Sequence, residues 1–556
     1  MVSLSVYLVA IATAVSALIY RLGKIGRRPA GYPPGPPTLP LIGNLHLMPK
    51  EKAHLQFQKW AEEYGPIYSL ILGTQVMIVL SSDQAIKDLL DKRSAIYSSR
   101  PEMYLGNIVS GGFRVLLMEY GETWRAIRGL MHNGLNIKAA RAYVPYQDLE
   151  NKVMLVGFLE DPDSFANHVK RYTHSLTMQM VFGFRTTSIH DPMLQKIFNG
   201  FMKFSEVFRS PAAAILDGFP ALQYLPDLLL PMRRHAKELH KTEYELYVGN
   251  YLKTKKRVLE GKVKLTVHHH EKPCFCLDLV RAQEQQGFSD SIAGYASGSI
   301  LEAGSDTTAA TLIGFVQALL IFPEVVAAAQ AEIDRVCGSG DGDDVRLPDL
   351  NDLPDMPYIR GCMKESMRWM PTDPLGVPHA VIRDDEYMGY KIPKGAGVMW
   401  NVWAVAHDPQ RHPDPSRFDP TRWAHDQQTS AEAAGNRDAT KRDHFVFGAG
   451  RRLCQGMHIA DRSLFLAMAR LLWAFDFRRA IDETTGEEVV PDMADLTEGI
   501  FVMPQPFRAR ITPRSEGRAR RVREEWDKVA KLLDHDMQWK TVPEGLVWRD
   551  YEPAGL

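Results

Sequence analysis

The sequence predicts a mainly α-helical domain with minor β structure, preceded by a single N-terminal membrane helix. Three observations carry that prediction. Apolar residues recur at helical spacing over long stretches, above all 292–322 and 457–475. β-rich runs are few and short. The run 2–20 contains no charged residue, and at about 1.5 Å per helical residue it spans roughly 28 Å, close to a bilayer core.

With 556 residues, 45% of them hydrophobic, the chain can bury a sizeable core. The 66 basic and 67 acidic side chains leave a net charge of -1, which argues against a nucleic-acid partner. The five cysteines are Cys274, Cys276, Cys337, Cys362 and Cys454. An odd, sparse set without metal-type pair spacing excludes a disulfide framework and a zinc site. No internal repeat is present.

The chain divides into an anchor (1–22), a basic and proline-rich hinge (23–50), one large domain (51–514) and an extension (515–556). No basic region precedes the apolar run, so a retained anchor is expected over a cleaved signal peptide. Arg21, Lys24, Arg27 and Arg28 follow it. Positive charge stays on the cytosolic side, which places the domain in the cytosol, on the endoplasmic reticulum membrane of a eukaryote. Prolines at 33, 34, 36 and 37 make a stiff connector.

Residues 54–64 read as a helix. Runs 67–72 and 75–80 read as a hairpin across Gly73-Thr74. Ser82-Asp83 caps a helix over 84–90. Residues 121–128 form a short amphipathic helix with Trp124 and Arg128 on one face. Segment 140–261 reads as further helices with little chemistry. His268 to His270 are adjacent and cannot share a face, so they read as a solvated loop and not a metal tract.

The long apolar helix 292–322 carries Ala303-Gly304-Ser305-Asp306-Thr307-Thr308 at its middle. Small and polar residues there admit two readings. Asp306 or Thr307 caps a second helix starting at Thr308, or a local bulge frees a carbonyl. Residues 356–370 form a helix ended by Pro371, with Glu365 and Arg368 at i and i+3. The plain meaning of that spacing is a surface ion pair worth little. Residues 387–392 and 397–400 read as sheet joined through 393–395. In 518–537, Val522, Trp526, Val529 and Leu533 form a stripe that suits an amphipathic helix on the domain or membrane.

The most informative stretch is Phe447-Gly448-Ala449-Gly450-Arg451-Arg452-Leu453-Cys454-Gln455-Gly456, with an apolar helix directly after it. A thiolate is the metal-binding form of cysteine, and a helix N-terminus with nearby arginines favours it. Glycines let the loop reach positive φ and lie close to a flat ligand. The plain alternative is a buried structural cysteine beside a tight turn. The complete spacing Phe-x-x-Gly-x-Arg-x-Cys-x-Gly resembles the haem-binding loop of the cytochrome P-450 family, whose haem iron is held by a cysteine thiolate.

That resemblance implies a haem b cofactor with Cys454 as its axial iron ligand. Phe447, Gly450 and Gly456 shape the loop against the ring, and Arg452 pairs with a propionate. It also implies propionate partners in Trp124 and Arg128, in Arg100 of Tyr97-Ser98-Ser99-Arg100, and in His379. The Ala-Gly-x-Asp-Thr-Thr signature makes Asp306 and Thr307 the acid and alcohol of a proton relay. Glu365, Arg368 and Arg422, the last from Phe418-Asp419-Pro420-Thr421-Arg422-Trp423, form a buried ion triad. Ala303, Val377, Ile500 and Phe501 contact substrate.

The expected activity is oxygen insertion from O2 into a small apolar organic molecule, as in fungal secondary-metabolite members of the family. No flavin or nicotinamide fingerprint is present, since 338–342 lacks the strand and helix setting one needs. Electrons then come from a separate NADPH-dependent flavin reductase. The alternatives are a reductase-independent haem isomerase or dehydratase, and a haem protein without turnover. Substrate identity and regiochemistry are not encoded legibly.

Overall fold

The computed structural model describes residues 4–260, 274–342, 345–544 and 546. The loop expected at His268 to His270 lies outside them.

Helix α1 (Leu4–Lys24) leads to the proline-rich connector, which is docked on the domain. Prolines supply carbonyls but no N–H donors, and Arg28 takes up the carbonyls. Its guanidinium reaches Ser69 Oγ at 2.9 Å, Gly35 O at 3.0 Å and Pro36 O at 2.9 Å. Helix α2 (Ala53–Tyr64) buries Phe57 and Trp60. Strands β1 (Ile67–Leu72) and β2 (Gln75–Leu80) pair antiparallel, Ile71 opposite Val76. Ser82 accepts from the Ala85 N–H, yet the helix it caps spans only Asp83–Ile86. It then widens into π geometry over Lys87–Lys92. That widening sets Leu90 and Asp91 against the cysteine loop, as shown below.

The helices that build the domain before the small sheets include α3 (Tyr104–Ser110), α4 (Glu122–Leu135), α5 (Val144–Glu160), α6 (Phe165–Phe182), α7 (Pro192–Phe208), α8 (Pro231–Leu259) and α9 (Asp290–Ile321). Helix α9 is the axis of the domain. Leu312, Phe315, Val316 and Leu319 are fully buried in the main core, beside Tyr172 of α6. It is the one helix among the described residues long and apolar enough to cross a bilayer, but 78% of its apolar window is buried by the rest of the domain.

The sequence left two readings of 303–308, and the structure shows neither. Helix α9 runs unbroken through them. Thr307 Oγ1 donates to the Ala303 carbonyl at 2.8 Å, and Thr311 Oγ1 to the Thr307 carbonyl at 3.0 Å. Hydroxyls that bond back to i−4 keep such residues inside a helix. Gly304 serves packing, because a Cβ there would stand 2.7 Å from Thr177 Oγ1 of α6.

After α10 (Pro357–Trp369) come the short strands β3 (His379–Ala380), β4 (Asp385–Tyr387), β5 (Tyr390–Ile392) and β6 (Gly397–Trp400). Strands β4 and β5 form their own hairpin over Met388 and Gly389, both at positive φ. The expected single sheet through 393–395 does not form. Gly395, at φ 83°, turns back so that its N–H meets Val381 O at 2.7 Å. Strand β6 instead pairs parallel with β2, giving the order β1-β2-β6-β3. Helix α11 (Met457–Ala474) follows the cysteine loop, and β7 (Phe475–Ile481), β8 (Glu488–Val489) and β9 (Ala509–Pro513) form a third sheet.

Helix α12 (Glu516–Ala530) ends before the predicted 537, but its stripe is packing on the domain. Val529 and Leu533 are buried in one cluster with Trp539 and Tyr146 of α5. Trp539 Nε1 donates to Gln179 Oε1 at 2.6 Å, and Gln179 Nε2 donates to Glu150 at 2.9 Å. Glu150 is itself buried between Arg171 and Arg185. Trp539→Phe keeps most of the ring but orphans the Gln179 acceptor. It is expected to cost about 1–3 kcal/mol, read in urea unfolding as a lower midpoint with an unchanged slope.

Candidate active site

The Cys454 N–H donates to Phe447 O at 2.9 Å, which closes the loop just before α11. Gly448 and Gly450 take φ of 76° and 61°. Side chains rarely adopt that region, so glycine is required at both. At Gly450 the requirement is also steric. A Cβ there would stand 2.0 Å from Leu90 O, and its N–H donates to Asp91 Oδ1 at 2.5 Å. Gly450 therefore meets the widened turn, while Gly448 and Gly456 face the cavity.

A cavity of about 320 Å³ lies between this loop and α9. The loop contributes Phe447, Arg452, Cys454 and Gly456, and α9 contributes Ala303, Asp306 and Thr307. Arg100, Trp124, Arg128, Val377 and Phe501 complete the sequence-predicted part of its wall. Ile500 and His379 stand behind that wall. Ile500 packs beside Val377, and His379 against Trp400 with ring centres 4.9 Å apart. A more open cleft of about 840 Å³, lined by Arg411, Arg422 and Asp443, holds none of the chemistry-bearing loop.

Burial pushes the Cys454 thiol upward. The N–H groups of Gly456 and Met457 and the Arg128 guanidinium pull the other way and favour the thiolate. Such a thiol gives up its proton on binding a metal ion. Among the described residues no group of three or more His, Cys, Asp or Glu side chains is placed to hold a bare ion. A lone sulfur suits an iron already held by a macrocycle.

The wall beside the cysteine is short of negative charge. Arg100, Arg128 and Arg452 all have lowered pKa values, mainly from burial, and Arg452 is held at about 9 by burial and by Arg128. Some of their N–H groups go to backbone carbonyls. Arg100 reaches Leu116 at 2.9 Å and Pro378 at 2.8 Å, Arg452 reaches Ser98 at 2.8 Å and Met118 at 2.7 Å, and Arg128 reaches Leu453. Trp124 lies 4.3 Å from the Arg452 guanidinium and 5.6 Å from that of Arg128. His379 Nδ1 meets Tyr97 O at 2.7 Å, while Nε2 is buried without a partner. Asp373 is the carboxyl beside Arg100, and burial raises it to about 7. Three crowded guanidiniums fit a ligand that brings its own carboxylates, as haem b does.

On α9, burial and the nearby Glu302 raise Asp306 to about 7. Its neighbour Thr307 keeps its hydroxyl at the cavity surface while donating to Ala303 O.

The predicted ion triad meets inside the protein, apart from the cavity. Arg368 donates to both Glu365 oxygens, at 2.9 and 2.7 Å, and Arg422 Nε lies 3.3 Å from Oε1. Sequence reasoning missed two further donors, Trp423 Nε1 at 2.9 Å and the Asp419 N–H at 3.0 Å. Both lie in the same run as Arg422, which was the available signal. It also missed Arg114 and Glu302, which line the cavity as an ion pair. No local motif joins residues so far apart in the chain.

Comparison with known proteins agrees with this geometry. The family profile for cytochrome P-450 matches residues 33–507. The chain is 60% identical to cytochrome P-450 monooxygenase virE of Hypocrea virens over 536 residues, covering 96% of this chain and 95% of that one. It is 55% identical to cytochrome P-450 monooxygenase fogE of Aspergillus ruber over 540 residues, with 97% of each chain covered. A zebrafish cytochrome P-450 solved with progesterone shares the fold, with a TM-score of 0.65 at 23% identity over 83% of this chain and 99% of that one. The chain therefore belongs to the cytochrome P-450 family of haem-thiolate monooxygenases, with haem b as its cofactor.

Proposed function

We propose that this enzyme inserts one atom of O2 into a small apolar organic molecule of fungal secondary metabolism, drawing electrons from NADPH through a separate flavin reductase. The observation that carries this reading is one cysteine and an acid–alcohol pair on the walls of one largely apolar cavity. The names of the fungal relatives support the metabolic setting.

Haem b, with Cys454 as its iron ligand, supplies the oxygen-activating chemistry. The chain's residues supply the rest. Arg100, Trp124, Arg128 and Arg452 would hold the propionates, with His379 behind them. Val377, Phe501 and Ala303 exclude water and orient substrate. Asp306 holds a proton near neutrality, and the Thr307 hydroxyl accepts and passes it into the cavity. We assign α1 to anchoring the enzyme in the endoplasmic reticulum membrane from the uncharged run 2–20, although the apolar stretch described within it, Tyr7–Ser16, is shorter than a bilayer crossing. Tyr7, Leu8, Val9 and Ile11 are 59–65% exposed, an apolar surface suited to lipid.

The test is product formation by the full-length enzyme with reductase. Product that persists without NADPH or O2 overturns the reading in favour of an isomerase or dehydratase. The pH profile tests the relay. Asp306 is protonated below about 7 in the folded protein, so turnover is expected to fall as pH rises through that value. Asp306→Asn should lower turnover at pH 6 by roughly 100-fold or more and flatten the limb. The stability sign runs the same way. A raised carboxyl contributes most below the ordinary aspartate range and loses that contribution as pH rises through about 7.

A further inference from the structure

The cavity wall also carries a charge cluster that holds neither the iron nor the relayed proton, although its Glu302 helps to raise Asp306. Arg114, in the segment after α3, is 1% exposed. Its guanidinium bridges Glu302 of α9 and Glu243 of α8. The ring of Phe204 of α7 covers it at 3.8 Å. The phenols of Tyr247 and Tyr295 stand near both carboxylates. Arg114 and Glu302 reach the cavity, and Glu243 stands behind them.

Two features separate this cluster from an ordinary buried ion pair. It holds two carboxylates against one guanidinium. Glu302 is also 7% exposed, and its buried Oε1 has no close hydrogen-bond partner, the Tyr247 phenol being the donor that stands nearest the carboxylate. Ser299, one helical turn earlier on α9, likewise lines the cavity with a buried, unpartnered Oγ. A buried acceptor left unpaired is costly to the fold, and a bound ligand that donates to it removes that cost. The wall around it, including Ile300, Phe201 and Val377, is apolar.

We propose that Glu302, held by Arg114 and flanked by Ser299, is a substrate anchor that accepts a hydrogen bond from an O–H group. The substrate class is then a mostly apolar molecule bearing one hydroxyl, and the anchor decides which end of it turns toward Cys454. An ammonium group is the rival occupant, because two carboxylates face one guanidinium, and a cationic probe separates the two. The proposal rests on the haem-thiolate reading of the cavity.

The test is a spectral binding titration of the haem-loaded, full-length enzyme. The probes are para-tert-butylphenol, its methyl ether para-tert-butylanisole, and para-tert-butyltoluene. The phenol is expected to bind roughly 10-fold more tightly than the ether, as suits one hydrogen bond to a buried acceptor. Glu302→Leu should bring phenol and ether to within about 2-fold of each other while leaving the toluene affinity in place. If Glu302→Leu does not fold, the isosteric Glu302→Gln should weaken the phenol alone by roughly 3-fold to 10-fold. Equal binding of phenol and ether by the wild type overturns the proposal. So does equal weakening of all three probes in a folded variant, which is the mark of a structural cluster. Tighter binding of a para-tert-butylbenzyltrimethylammonium probe than of the phenol also overturns it. Loss of the thiolate-type Soret band in the wild type would instead overturn the haem-site reading, so the two failures are distinct.

Discussion

Replacing Cys454 with alanine is expected to abolish the thiolate-type Soret band of the reduced carbon monoxide complex and to cut turnover to below ~1% of wild type. Groups one shell out from a metal typically cost 10–100-fold on mutation, and the ligand itself must cost more. No other thiol can replace it. Cys274, Cys276, Cys337 and Cys362 are buried elsewhere and do not line the cavity. Burial raises the Cys274 thiol to about 11 and the Cys337 thiol to about 12. The loop itself should survive, because it is closed by the backbone N–H of residue 454 and not by the side chain. Loss of the band in a protein with wild-type circular dichroism is therefore the expected result. A Cys454→Ala protein that keeps the band removes the assignment.

The parts of this site that were legible in the sequence are those encoded over a few residues. The cysteine loop is one such unit, and Trp124 and Arg128 are another, because one helical turn sets their spacing. Glu365 and Arg368 were legible as a pair, but their depth was not. Spacing at i and i+3 describes a helix face, and only the packing of the loop at 419–423 over that face makes it interior. The burial of Cys454 was illegible for a related reason. Helix N-termini and arginines can be read from the sequence, whereas desolvation depends on everything else that folds over the sulfur.

The stretch 303–308 failed in the opposite direction. Its residues are poor helix formers, and intrinsic preference suggested a break. Back-bonding by Thr307 and Thr311 and the close seat of Gly304 on α6 keep it helical, so tertiary packing overrides propensity. The Arg114 cluster was illegible because its members come from α8, α9 and the segment after α3, with 129 and 188 residues between Arg114 and its two partners.

Glu365→Ala is expected to destabilise the folded protein by about 3–5 kcal/mol, the range for breaking a buried ion pair by removing one partner. Glu365 and Arg368 have no exposed side-chain surface. Without the carboxylate, the Arg368 guanidinium keeps only the carbonyls of Ala406 at 3.0 Å, Pro415 at 2.9 Å and Arg417 at 3.1 Å. Those dipoles orient the charge but do not neutralise it. Trp423 Nε1 and the Asp419 N–H lose their acceptor at the same time. A folded protein commonly has only about 5–15 kcal/mol to lose, so the variant should accumulate poorly and unfold at much lower urea. Arg422→Ala provides the internal comparison. Its side chain is 12% exposed and meets Glu365 at 3.3 Å, and water can take its place. It should therefore cost well under half as much. A reversed order, with Arg422→Ala the more damaging, would mean that the position of the loop at 419–423 matters to the fold and that the enclosed charge does not.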